Sequence, residues 1–86
     1  MDWAKYGYVI ASNYRKKVVL SLAKGPMTPK QISMDSKLYL SHVSRILNEL
    51  LMKKIIECLT PDLKRGKIFA LTRDGKEIAD QLERLR

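Results

Sequence analysis

Cysteine and histidine are nearly absent: the chain of 86 residues has one of each. Cys58 alone cannot close an internal disulfide, and a metal centre, which usually needs three or four ligands, has no side-chain set to build on. No apolar run approaches the roughly 18 residues of a membrane-spanning helix. The start, Asp2 and Trp3, lacks the basic-then-apolar stretch of a secretory signal. These absences predict an intracellular, cytoplasmic chain with no metal, no cofactor and no membrane partner. Glycine and proline are few and no tract is repeated, so one small domain over residues 1–86 is expected. There is no glycine-rich phosphate loop, no paired carboxylates at apolar positions and no nucleophile–His–acid set. No enzymatic activity is therefore expected. Cys58 lies in a strand pattern, which favours packing over a thiol centre with His42.

Acid is also in short supply. Seventeen Lys and Arg stand against nine Asp and Glu, a formal net charge of +8. The excess is uneven. Residues 1–71 hold 13 bases and 5 acids, whereas residues 72–86 hold four of each. A one-sided basic excess suits a polyanionic partner, although many small proteins carry a basic solvated surface.

What the chain does contain is helical periodicity with sharp punctuation. Trp3, Tyr6, Ile10, Tyr14, Val18 and Leu22 recur at spacings of three or four. They predict a long first helix over 1–24, stopped by Gly25-Pro26. Gly7 inside it costs about 1 kcal/mol against alanine. Thr28 then reads as an N-cap, with Pro29 at N1 and Gln31 at N3 completing a capping box. Met27 and Ile32 occupy the hydrophobic-staple positions. This second helix is expected to end near Met34, with Asp35-Ser36-Lys37 as the turn.

The third helix is expected over about 40–53. Val43, Ile46, Leu47 and Leu50 fall on one arc, and Ser41, Ser44, Arg45 and Asn48 on the opposite one. Leu51 sits at the margin and Met52 among the polar positions. A generic solvent-facing helix carries mostly Glu and Lys, whereas Ser, Arg and Asn are short or planar groups suited to base edges. Residues 55–59 and 67–71 carry strand signals around a tip containing Lys64-Arg65-Gly66-Lys67, which predicts a hairpin. Thr72 caps a last helix over 72–86, with Asp74 in its first turn and Ile78, Leu82 and Leu85 as its apolar stripe.

This order resembles the winged helix-turn-helix regulators of the ArsR/MarR-like kind, especially small single-domain types frequent in archaea. Tyr14-Arg15 with Val18-Val19 and Leu22-Ala23-Lys24-Gly25-Pro26 is similar to that group's first helix. Thr28-Pro29-Lys30-Gln31-Ile32-Ser33 resembles its second, and Leu40-Ser41-His42-Val43-Ser44-Arg45-Ile46-Leu47 its recognition helix. Leu71-Thr72-Arg73-Asp74-Gly75 matches the Leu-Thr-x-x-Gly signature that closes the wing. Two positions depart from the pattern: Lys37 stands where glycine is frequent, and Tyr39 where a Ser or Thr cap is usual. The clustered cysteines and histidines of metal-sensing members are missing. The implied fold is mainly α with a small β-hairpin (α+β), in the order α-α-α-β-β-α. Its parts are a first helix (1–24), a helix-turn-helix (28–53), a wing (55–71) and a C-terminal helix (72–86).

The resemblance implies a sequence-specific regulator of transcription that binds double-stranded DNA as a homodimer. The recognition helix, about 40–53, would enter the major groove, and the wing, 60–67, would lie on the backbone or in the minor groove. Ser41, His42, Ser44, Arg45 and Asn48 become the groove-facing set. Arg45 suits guanine and Asn48 suits adenine; the plain alternative is Arg45 paired with Glu49 or a phosphate. Lys64, Arg65 and Lys67 are the wing contacts, and Thr28, Lys30 and Tyr39 the candidate DNA-backbone contacts. Arg15-Lys16-Lys17 either flanks DNA or faces solvent. Trp3, Tyr6 and Ile10, with Ile78, Leu82 and Leu85, are candidate dimer contacts, unless they cover the protomer's own core. The competing readings are a winged helix used for protein contact and a nonspecific architectural DNA binder. RNA binding lacks stacking aromatics on a sheet face.

Overall fold

Ser12 divides what the flanking periodicity presents as one helix. In the computed structural model, which describes residues 1–85, the N-terminal segment forms α1 (Trp3–Ile10) and α2 (Asn13–Leu22). The expected continuous helix over 1–24 is corrected to this pair. Ser12 is extended (φ −139°, ψ 125°), and its hydroxyl accepts a hydrogen bond from the Arg15 amide at 3.3 Å. Serine competes with helical hydrogen bonding and is stable as an N-cap, so the helix restarts there. The restart changes which residues go inward. Val9 is fully buried, whereas Trp3, Ile10 and Tyr14 are exposed.

The rest follows the expected order, which becomes α-α-α-α-β-β-α. The elements are α3 (Pro29–Ser36), α4 (Leu40–Met52), β1 (Ile56–Cys58), β2 (Phe69–Leu71) and α5 (Arg73–Arg84). The fold is mainly helical with one two-stranded antiparallel hairpin, in which Ile56, Glu57 and Cys58 pair with Leu71, Ala70 and Phe69. Met27 adds a single bridge to Phe69, through amide–carbonyl bonds of 3.0 and 2.8 Å. This bridge ties the start of α3 to the hairpin.

One core joins these elements. Val18, Val19 and Leu22 of α2 meet Ile32 of α3, and Val43, Ile46, Leu47 and Leu50 of α4. Ile55, Ile56, Phe69 and Leu71 of the hairpin and Ile78, Ala79 and Leu82 of α5 complete it. Cys58 is half-buried and packs against this core.

The helix ends that orient the site are closely held. Both halves of the Thr28–Gln31 capping box are present, at 3.2 and 2.9 Å. α3 runs two residues past Met34 and ends at Lys37, which adopts the left-handed conformation (φ 61°). The turn accommodates a lysine there because serines brace both sides. Ser36 Oγ donates to the Ile32 carbonyl, Ser33 Oγ donates to the Leu38 carbonyl, and Leu38 is buried. α4 ends in a Schellman arrangement. Lys54 is left-handed (φ 59°), its amide donates to the Leu51 carbonyl, and the Ile55 amide donates to the Leu50 carbonyl.

The junction of hairpin and α5 is the tightest part of the chain. The single Thr72 hydroxyl proton is shared between the carbonyls of Lys54 (2.8 Å) and Ile55 (3.0 Å), and the hydroxyl oxygen accepts from the Gly75 amide (3.2 Å). Gly75 lies so close that a Cβ there would run into the Ile55 carbonyl oxygen. The Leu-Thr-x-x-Gly signature thus has a steric cause. Lys5 of α1 donates to Asp74 of α5 at 2.6 Å, which holds the Asp74 carboxyl below the usual carboxylate range. Lys24 does the same for Asp35, with a second hydrogen bond from Ser21.

Candidate nucleic-acid interface

The outward row of α4 is built by its inward one. Val43, Ile46, Leu47 and Leu50 are all buried, which fixes the rotation of the helix. Ser41, Ser44, Arg45 and Asn48 are consequently exposed, at helical spacings of three and four. Leu51 is half-buried and Met52 is 84 % exposed, as their positions on the helix require. Tyr39 begins the helix without any side-chain hydrogen bond to it. No acidic residue sits in that first turn, so its positive end is not neutralised by the chain.

His42 is half-buried among aromatic rings rather than standing free. Its ring lies 5.0 Å from that of Tyr14, edge-on, and 6.0 Å from that of Tyr39. The group joins α2 to the start of α4, and Tyr39 is 79 % exposed at its outer edge.

Arg45 is part of an ion-pair network. Its Nη1 donates to Glu49 Oε2 at 3.3 Å, the pairing expected as its plain alternative, yet its side chain stays 55 % exposed. Glu49 Oε1 accepts from Arg15 Nε at 3.1 Å. Arg15 Nη1 donates to the Tyr8 carbonyl at 2.9 Å, and its guanidinium lies 3.8 Å from the Tyr8 ring centroid. Arg15 does neither of the things expected of it: it is a half-buried tie between α1, α2 and α4. Lys16 is half-buried and Lys17 exposed.

In α3, Lys30 is exposed and Thr28 half-buried. The capping box engages the Thr28 and Gln31 amides, and Pro29 has none, so few free amides remain for a phosphate at this helix start. On the hairpin, Lys64 and Arg65 are exposed and Lys67 is half-buried. Gly66 takes a positive φ of 66°, which turns the tip. The base of the wing is held by the Leu59 amide on the Ile68 carbonyl (2.8 Å) and the Ile68 amide on Thr60 Oγ1 (2.9 Å).

The six apolar dimer candidates separate into two groups. Ile78 is fully buried and Leu82 nearly so, as part of the protomer's own core. Ile78 is therefore corrected from a surface contact to a core residue, because α5 turns its stripe toward α2. Trp3, Ile10 and Leu85 are exposed (64 %, 43 % and 68 %), and Tyr6 is half-buried with its ring edge-on to Trp3 at 5.6 Å. A groove of about 740 Å³ is lined by Tyr6, Ile10, Tyr14, Leu20, Leu82 and Leu85, together with Asn13, Lys16 and Lys17.

Sequence reasoning missed the Tyr8–Arg15–Glu49 network. Arg15 and Glu49 are 34 positions apart, and nothing local links them. Only the Glu49–Arg45 end, at i,i+4, carries a sequence signal.

No protein-family model and no curated protein sequence matches the chain. Solved structures do. The chain is similar to BpsR from Bordetella bronchiseptica, solved to explain regulation of its DNA binding by 6-hydroxynicotinic acid. The TM-score is 0.78 at 16 % identity, over 85 % of this chain and 57 % of that one. It is similar to the adhesin competence repressor AdcR from Streptococcus pyogenes, with a TM-score of 0.76 at 18 % identity over 86 % and 56 %. It is also similar to a MarR family transcriptional regulator from Silicibacter pomeroyi, with a TM-score of 0.73 at 22 % identity over 84 % and 48 %. The chain spans about half the length of these structures. Likeness at these identities establishes the fold, and it is the winged helix-turn-helix fold of MarR-type regulators.

Proposed function

We propose that the chain is a sequence-specific, double-stranded DNA-binding regulator of transcription that acts as a homodimer and has no catalytic role. The observation that carries this reading is the exposed row Ser41, Ser44, Arg45 and Asn48 on a helix whose other face is wholly committed to the core. α4 enters the major groove, Arg45 donates to guanine, Asn48 pairs with adenine, and the serines contact phosphate or either base type. Lys64, Arg65 and Lys67 of the wing follow the backbone or the adjacent minor groove. Lys30, Thr28 and Tyr39 contact phosphates, and His42 holds Tyr39 and Tyr14 together at the helix start.

A net charge of +8 supports the polyanion partner. The solved structures of similar fold include a DNA-binding protein, a repressor and a transcriptional regulator, which favours the same class here. Exposed Trp3, Ile10 and Leu85 support pairing through α1 and α5, which would offer two recognition helices to half-sites about 34 Å apart.

The test is selection of bound fragments from the source genome at physiological salt, with excess competitor duplex. A near-palindromic enriched site is the expected result. Salt-sensitive binding to any duplex without enrichment indicates an architectural binder instead. Absence of duplex binding transfers the fold to a protein-contact role.

A further inference from the structure

An acid beside a DNA-reading arginine needs a reason, because it repels the phosphates that a basic chain attracts. Glu49 stands one helical turn after Arg45 on α4. Its two oxygens are engaged separately: Oε1 by Arg15 Nε at 3.1 Å, and Oε2 by Arg45 Nη1 at 3.3 Å. The two arginines differ. Arg15 is fixed from three sides, by Glu49, by the Tyr8 carbonyl at 2.9 Å and by the Tyr8 ring at 3.8 Å, and its side chain is 20 % exposed. Arg45 pairs with the far oxygen of the carboxylate and is 55 % exposed. The carboxylate is thus immobilised from the core side and presents one fixed acceptor toward the reading side.

We propose that Glu49 is a positioning residue that presets Arg45 for base recognition, with Arg15 and Tyr8 as its anchor. This rests on the reading of α4 as a DNA-reading helix. Two consequences follow from the geometry. A guanidinium held through one nitrogen is restricted in rotamer while its remaining donors stay free, so less entropy is lost when it meets a base. The adjacent carboxylate also weakens the attraction of Arg45 to phosphates in general. Specificity is a difference of affinities, and suppressing the nonspecific term raises it as effectively as strengthening the specific one. The network also makes Arg45 dependent on how α1 and α2 meet, since Tyr8 lies on α1 and Arg15 on α2.

The experiment compares affinities for the selected duplex and a shuffled duplex of equal length at one salt concentration. Wild type, Glu49→Gln, Arg15→Lys, Arg45→Ala and the Glu49→Gln/Arg45→Ala double variant are measured. Glutamine keeps the shape and an acceptor but removes the charge. Glu49→Gln is expected to lower the selected-to-shuffled ratio about tenfold, with shuffled binding unchanged or tighter. Arg15→Lys, which keeps the charge but loses the fork, is expected to move the ratio the same way. The double variant is expected to match Arg45→Ala alone. A Glu49→Gln ratio within about twofold of wild type, while Arg45→Ala loses it, would overturn the positioning role and leave base reading intact. If wild type itself shows no preference, Arg45→Ala has no ratio to lose, and the DNA-reading proposal fails along with this one.

Discussion

The α4 face and the α1 face of the molecule are finished to different degrees. α4 commits Val43, Ile46, Leu47 and Leu50 inward and exposes Ser41, Ser44, Arg45 and Asn48, so its central stripe is covered within one protomer. α1 commits only Val9 and exposes Trp3 and Ile10, beside an exposed Leu85 at the end of α5. The exposed row of the first face is polar, and a charged polymer suits it, although Leu40 and Met52 at the two ends of α4 stay exposed. The second has apolar surface left over, as an interface half does before its partner arrives. The break at Ser12 allows this division. It lets α2 restart out of step with α1, so that Val9 enters the core and Tyr6 and Tyr8 pack at its edge while Trp3 and Ile10 stay outside.

The largest perturbation should erase both faces together, by unseating the junction that orients them. Gly75→Ala drives a methyl group into the Ile55 carbonyl, the acceptor of both the Thr72 amide and its hydroxyl. The expected loss is about 3 kcal/mol or more, from overpacking and a broken helix cap acting together. In a domain with roughly 5–15 kcal/mol of stability this is a major fraction, visible as a lower midpoint in urea followed by circular dichroism. Gly7→Ala is the matched control. Nothing lies within 4 Å of a Cβ there, so a gain of up to about 1 kcal/mol is expected from the same substitution. A wild-type midpoint for Gly75→Ala would mean that the Leu-Thr-x-x-Gly signature has no steric basis here.

Next in size are changes that break one face and spare the other. Trp3→Ala with Leu85→Ala removes two large exposed apolar groups, each worth about 1.5–3 kcal/mol if a partner buries it. Light scattering at micromolar concentration should then read a monomer where wild type reads a dimer, with the helical circular dichroism of the folded protomer retained. A wild-type chain that already scatters as a monomer would remove the unfinished face as a dimer surface. Arg45→Ala should cost about 1–3 kcal/mol on the selected site and relax one base preference. Lys64→Ala or Arg65→Ala should instead weaken every duplex and lower the salt slope by about 1. Equal effects of all three on every sequence would mean that α4 holds the backbone and reads no bases.

Signals confined to a few residues were legible in the sequence. Thr28, Pro29 and Gln31 fixed the start of α3, four apolar positions fixed the rotation of α4, and the Thr72 cap and strand signals located the hairpin and α5. What failed was ranking by hydrophobicity where geometry decides. Trp3, Ile10, Tyr14, Val18 and Leu22 continued one helical spacing through Ser12, which hid the serine's capping role and the break there. Ile78 looked like surplus apolar surface because the depth of the core beneath α5 depends on residues far away in sequence. The exposed polar row of α4 was visible for the same local reason as its buried one. The anchoring of Arg45 through Glu49, Arg15 and Tyr8 was not, since it requires α1, α2 and α4 to be assembled.

The smallest expected effect concerns the turn that joins α3 and α4. Lys37 holds φ at 61°, a conformation that costs a side-chain-bearing residue roughly 1 kcal/mol and glycine almost nothing. Ser33 and Ser36 brace the turn on either side, and Leu38 is buried beyond it, so the backbone has little freedom to relax. Lys37→Gly should therefore stabilise the protein by about 0.5–1 kcal/mol, raising the thermal midpoint by a few degrees. The lysine is exposed shortly before α4, where the proposed DNA complex would bring a phosphate. If it serves the polyanion face, the same substitution lowers the salt slope of duplex binding by about 1 while the protein becomes more stable. Opposite signs in the two measurements would mark a residue kept strained for binding. A stability gain with an unchanged salt slope would remove Lys37 from that face and leave the strain without a binding role.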